Sequence, residues 1–125
     1  MMARRIKIYF DGGCRPNPGK METAVVTGGA ATVVHDAGIG SSMDAEWLAL
    51  IAALRLAQNL ELTNFILLGD AAAVVEQANG AVRARGKAAD HLATFHALVG
   101  NGPSPNIRHV KRTQNLAGIA LARGR

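Results

Sequence analysis

Cysteine is nearly absent from this chain. Cys14 is the single one among 125 residues. That excludes an internal disulfide and every zinc site built from several thiolates. With no paired His in its vicinity, Cys14 reads as a small buried residue rather than a reactive thiol. Aromatics are also scarce: three Phe, one Trp and one Tyr. Because 49% of the chain is hydrophobic, a core is still available, but Ala, Val, Leu and Ile must build it. Acidic residues vanish after Asp90, whereas Arg108, Lys111, Arg112, Arg123 and Arg125 all fall beyond it. No apolar run reaches membrane-spanning length, and no signal-peptide core follows Met1-Met2-Ala3-Arg4-Arg5; the expectation is a cytoplasmic protein with no membrane association. Neither an internal repeat nor a low-complexity linker interrupts the chain, so a single domain over residues 1–125 is expected.

What is present is a basic balance. The net charge is +5 and the pI is about 10.2, which suits a polyanionic partner such as nucleic acid. The cationic C-terminal end sharpens that reading; a solvated tail is the alternative. No protein partner is evident.

Ile6, Ile8 and Phe10 alternate with Lys7 and Tyr9, the period of a strand, predicted from about Arg4 to Asp11. Two prolines make residues 15–19 a loop. Thr23 to Thr27 and Ala30 to Asp36 are predicted strands joined by Gly28-Gly29, a hairpin signal. Asp44 to about Asn59 contains neither Gly nor Pro and is rich in Ala and Leu, which predicts a helix. Its apolar face, Trp47, Leu50, Ile51 and Leu54, should pack across a sheet. Phe65 to Leu68 is a continuous apolar run, as in a buried parallel strand. Helices follow over Ala71 to Asn79 and Lys87 to Val99, then a strand over Ile107 to Val110 and a helix over Asn115 to Ala122. The predicted order is βββαβααβα, an α/β chain whose first quarter is an antiparallel meander.

Three carboxylates stand out by place. Asp11 ends the first strand beside Gly12 and Gly13. Asp70 ends the buried strand and starts a helix. In open α/β sheets, ligands gather outside the carboxyl ends of strands. Glu46 lies in the first turn of the long helix, where a negative charge also meets the positive end of the helix dipole. A turn role for Asp11 and a helix-start role for Glu46 are the bland alternatives. His91, His96 and His109 read as surface, boundary or structural residues.

Four blocks in order carry a family resemblance: Tyr9 to Cys14 with Asn17-Pro18-Gly19; Ala45-Glu46-Trp47-Leu48-Ala49-Leu50; Leu67-Leu68-Gly69-Asp70 with Val75, Gln77 and Gly80; and Val110 to Asn115 with Leu121-Ala122. Together they resemble the type 1 ribonucleases H over nearly the whole chain. The resemblance implies a mixed five-stranded sheet with helices on both faces. It also implies metal-assisted hydrolysis of the RNA strand of an RNA–DNA hybrid, leaving 5′-phosphate and 3′-hydroxyl ends. Asp11, Glu46 and Asp70 match metal-binding carboxylates for two Mg²⁺ or Mn²⁺ ions, the second weakly held. Arg112 matches an Arg that assists catalysis. Gly12, Gly13, Cys14, Asn17, Ser41, Ser42 and Met43 would line the hybrid groove, with further contacts from Arg83, Lys111 and Asn115.

The chain also departs from that pattern. Met43 stands where many relatives carry an amide, and Ala71 replaces a Ser. The basic helix-and-loop handle of some bacterial members is reduced to Arg83, Arg85 and Lys87. Relatives place a fourth carboxylate in the last helix. The matching position here is Ile119 without a gap or Gly118 with one, and residues 91–125 contain no Asp or Glu. A hybrid-binding module with little or no cleavage is therefore the alternative function.

Overall fold

The structure is a computed structural model and describes residues 5–123. Arg4, where the expected first strand begins, and Arg125 of the cationic end lie outside the described residues. The strands are β1 (Ile6–Cys14), β2 (Gly19–Thr27), β3 (Ala30–Val34), the two-residue β4 (Ile39–Gly40), β5 (Phe65–Gly69) and β6 (Asn106–His109). The helices are α1 (Ser42–Asn59), α2 (Ala72–Ala78), α3 (Lys87–Val99) and α4 (Leu116–Arg123), with a 3-10 turn at Arg112–Gln114. The expected order holds, with β4 and the 3-10 turn added. β4 escapes a sequence reading because two residues carry no period.

The sheet order is β3-β2-β1-β5-β6, with β4 pairing β2 off that path. β1 runs antiparallel to β2 and parallel to β5. It also extends three residues beyond Asp11, because Gly12, Gly13 and Cys14 pair with Thr23, Glu22 and Met21. The expected end at Asp11 was therefore too early: local alternation stops there, but the ladder with β2 does not.

Alternation along β1 divides the molecule into two layers. Ile8 and Phe10 point to a core shared with Trp47, Leu50, Leu54, Val74 and Phe95 from the helices. Tyr9 points the other way, to a smaller core with Ala24, Val26, Ala117 and Leu121. Thus α1, α2 and α3 cover one face, and α4 covers β1, β2 and β3 on the other. Two glycines permit close approach. A side chain at Gly12 would overlap the Ala45 carbonyl, so Gly12 lets α1 lie against β1. A side chain at Gly69 would overlap the Phe10 ring. Among the described residues no helix is long and apolar enough to cross a membrane.

Candidate functional site

The parallel register of β1 with β5 pairs Tyr9 with Leu68. Continued by two residues, it sets Asp11 opposite Asp70 at the carboxyl end of the sheet. Glu46 comes to the same place from α1. Its Oε1 accepts a short hydrogen bond from the Gly12 N–H. The ligand oxygens of Asp11, Glu46 and Asp70 all lie within 4.8 Å of one another, and each residue is half-buried.

Such a cluster is electrostatically strained. Burial, the charge of Asp11, its hydrogen bond to Glu46 and the charge of Asp70 together push the Glu46 carboxyl up to about 9, against the lowering effect of the Gly12 N–H. Repulsion among carboxylates held together in low dielectric is relieved either by a proton or by a cation. Three hard oxygen donors that converge on an open cleft fit a divalent cation such as Mg²⁺ or Mn²⁺.

The helix-start reading of Glu46 is excluded by geometry. α1 begins two residues earlier than predicted, with Ser41 as its N-cap, so Glu46 sits beyond the first turn. Asp44 takes the capping role instead. The Ser41 hydroxyl accepts from the Asp44 N–H at 3.1 Å, and Asp44 Oδ2 accepts from the Ser41 N–H at 3.0 Å, a capping box. Burial raises the Asp44 carboxyl, but the Ser41 backbone, His91 and the Ser41 hydroxyl outweigh it and hold it down to about 2. His91 Nε2 lies 2.8 Å from Asp44 Oδ1 and its ring stacks on Trp47. Nothing in the sequence spacing, 47 residues apart, signalled this pair.

The carboxylates stand in a cleft of about 830 Å³. Gly12, Gly13, Cys14, Ser42 and Met43 line it on the α1 side, and Arg112, Gly118 and Ile119 line it on the α4 side. Asn17 and Ser41 are absent from that lining but support it. Asn17 Oδ1 accepts from the Ser42 N–H at 3.0 Å, and Ser41 caps α1. Cys14 is buried, its Sγ 3.5 Å from Asn17 Oδ1. Arg83 and Lys111 are exposed but outside the cleft lining.

The expected nucleic-acid contact at Asn115 is corrected. Asn115 is fully buried, so no ligand in the cleft can touch it. Its Nδ2 donates to the Phe10 carbonyl and to Asp70 Oδ2, both at 3.0 Å, while its Oδ1 accepts from the Ala117 N–H. Asn115 therefore ties β1, the Asp70 carboxylate and the start of α4 together.

At the expected fourth carboxylate position, the two residues differ. A Cβ on Gly118 would lie 3.3 Å from Asp11 Oδ2 and 3.8 Å from Asp70 Oδ2. Ile119 also borders the cleft but is 42% exposed, at its rim. Ile119 therefore does not turn into the core; Ala117 and Leu121 occupy those positions.

The sequence pattern of a family described as reverse transcriptase-like matches residues 10–124. Among solved structures, the RNase H1 of the halophilic archaeon Halobacterium salinarum NRC-1 is 30% identical with a TM-score of 0.83, covering 94% of each chain. LC11-RNase H1 in complex with an RNA/DNA hybrid is 25% identical with a TM-score of 0.80, over 89% of this chain and 88% of that one. The N-terminal RNase H domain of rv2228c from Mycobacterium tuberculosis, solved as a maltose binding protein fusion, is 26% identical with a TM-score of 0.74, over 98% and 99%. No curated protein matches the chain.

Proposed function

The chain belongs to the reverse transcriptase-like family, among the type 1 ribonuclease H-like proteins, and from that membership we propose that it hydrolyses the RNA strand of RNA–DNA hybrids by in-line attack of water. The observation that carries this reading is the convergence of Asp11, Glu46 and Asp70 at the carboxyl end of two parallel strands, beside an open cleft. A structural neighbour solved with an RNA/DNA hybrid supports the substrate class.

Asp11, Glu46 and Asp70 would hold the Mg²⁺ or Mn²⁺ ions. The chemistry supplied by bound metal is activation of the attacking water and stabilisation of the leaving 3′-oxygen. The protein's own part is placement. Gly12 donates to Glu46 and fixes its carboxyl. Asn115 donates to Asp70 and fixes that one. Arg112, on the α4 wall, brings positive charge to the phosphate. Gly12, Gly13, Ser42 and Met43 form the opposite wall, along which the hybrid would lie with its 2′-hydroxyls in reach.

The test is incubation with a labelled RNA–DNA hybrid in Mg²⁺ and in Mn²⁺. Metal-dependent fragments with 5′-phosphate ends are expected. One observation favours the second reading, a binding module. α4 presents Gly118, not a carboxylate, to Asp11 and Asp70, which leaves a second ion weakly held. A shifted but intact hybrid with either metal would establish that reading and overturn the first.

A further inference from the structure

The sheet face that carries Asp11 also carries a basic row that the catalytic cleft does not use. Lys7 and Tyr9 alternate at the start of β1, so their side chains share the α4 face about 6.6 Å apart, and Arg5, the residue just before β1, lines the same groove. Registers extend the row sideways: Tyr9 pairs Leu68, and Leu68 pairs Arg108. Arg108 therefore lies on the same face, two strands over, about 10 Å from Tyr9. α4 packs on β1, β2 and β3. Beside its first residue, Leu116, it leaves a groove of about 610 Å³ lined by Arg5, Lys7, Tyr9, Gly28 and Gly29 among others. No Asp or Glu lines this groove, and among the described residues neither Arg5 nor Lys7 has an acidic partner.

Tyr9 packs against the cluster of Ala24, Val26, Ala117 and Leu121 and also borders the groove. Leu116 is 45% exposed at the groove edge. Cations beside a fixed ring and an apolar edge match a polynucleotide with unpaired bases. A duplex would offer its phosphates but keep its bases stacked inside, leaving Tyr9 and Leu116 idle; a single strand offers both. Asp11 lies two residues from Tyr9 on the same strand and face. Leu116 and Gly118, both in the first turn of α4, border the groove and the cleft respectively.

We propose that this groove is a second nucleic-acid site, which takes a single-stranded extension of the polynucleotide held in the catalytic cleft. The inference rests on the nucleic-acid reading of the cleft but not on cleavage. The test is therefore equilibrium binding without divalent metal, by fluorescence anisotropy. The probes are a blunt RNA–DNA hybrid, four hybrids each extended by a short single strand at one end, and a single-stranded oligonucleotide alone. Wild-type protein should bind at least one extended hybrid about tenfold more tightly than the blunt one, a gain of the size that base stacking on an aromatic ring provides. Arg5→Ala with Lys7→Ala should bring that ratio close to one, and Tyr9→Leu should reduce it. Both variants are checked for an unchanged circular dichroism spectrum, with Tyr9→Phe as a conservative control that keeps the preference. Equal affinity for blunt and extended hybrids in the wild type, or an undiminished ratio in the double variant, overturns the proposal. Binding of the single strand through Arg5 and Lys7 without any binding of the blunt hybrid would sink the cleft reading and leave the groove standing.

Discussion

At Glu46, burial and two carboxylate neighbours favour the protonated acid up to about pH 9, whereas metal binding requires the carboxylate. The sign of the consequence follows from linkage. The folded-state value lies above the ordinary 4.5, so the native state holds an extra proton between about pH 4.5 and 9, and metal-free stability falls as pH rises through that window. Melting curves in chelator should show this decline, and Glu46→Gln should flatten it. Added Mg²⁺ should raise the wild-type Tm more at the alkaline end. Parallel curves for wild type and variant would remove Glu46 from the cluster. Asp11→Asn or Asp70→Asn should lower hybrid cleavage by at least two orders of magnitude, about 2.7 kcal/mol of barrier, while stability stays equal or rises as repulsion is relieved. Wild-type turnover in either variant would refute the assignment. Gly118→Asp places a carboxylate within reach of Asp11 and Asp70. We expect it to raise Mg²⁺-dependent cleavage by one to two orders of magnitude, about 1.4–2.7 kcal/mol, with a smaller effect from Ile119→Asp at the rim. Rates against Mg²⁺ concentration for both variants decide between the two positions.

The start of α1 is the element on which the cleft wall depends. Ser41 and Asp44 cap it, Asn17 holds Ser42, and His91 from α3 holds Asp44. Ser41→Ala should cost about 1 kcal/mol of stability, the usual size of a lost N-cap, read from urea denaturation. Asp44 is depressed from 3.8 to about 2, so its contribution is fully present above about pH 4 and is lost as pH falls toward 2. Asp44→Asn should therefore narrow the stability difference between pH 7 and pH 2.5 relative to the wild type. An unchanged difference would show that the carboxylate's charge is not what holds the helix start.

For the molecule as a whole, the charge distribution sets the binding behaviour. Arg108, Lys111 and Arg112 follow one another along β6 and the turn that leads to α4, and Arg112 borders the cleft. Hybrid affinity should fall with salt at a slope of roughly 0.9 per phosphate contact, and Arg108→Ala with Lys111→Ala should reduce that slope by about two such contacts. An unchanged slope would return these residues to the role of a solvated surface.

The order of elements was readable from the chain because it rests on local periods: the alternation of Ile6 to Phe10, the Gly- and Pro-free α1, the apolar run of β5. Asp11 and Asp70 were readable because strand ends mark them in sequence, whereas Glu46 was readable through the family resemblance of Ala45 to Leu50, since it does not lie in the first turn of α1. Local pattern stops where pairing across the chain takes over. β1 continues to Cys14 because β2 supplies hydrogen-bond partners, although two glycines break the alternation. The resemblance put Asn115 among the nucleic-acid contacts, yet it is buried and bonded to Phe10, 105 residues away, and to Asp70. Helical spacing alone did not separate Gly118 from Ile119, since neighbouring positions differ only by the rotation of α4 about its axis. The packing of Ala117 and Leu121 against Ala24 and Val26 sets that rotation, and it turns Gly118 toward the carboxylates.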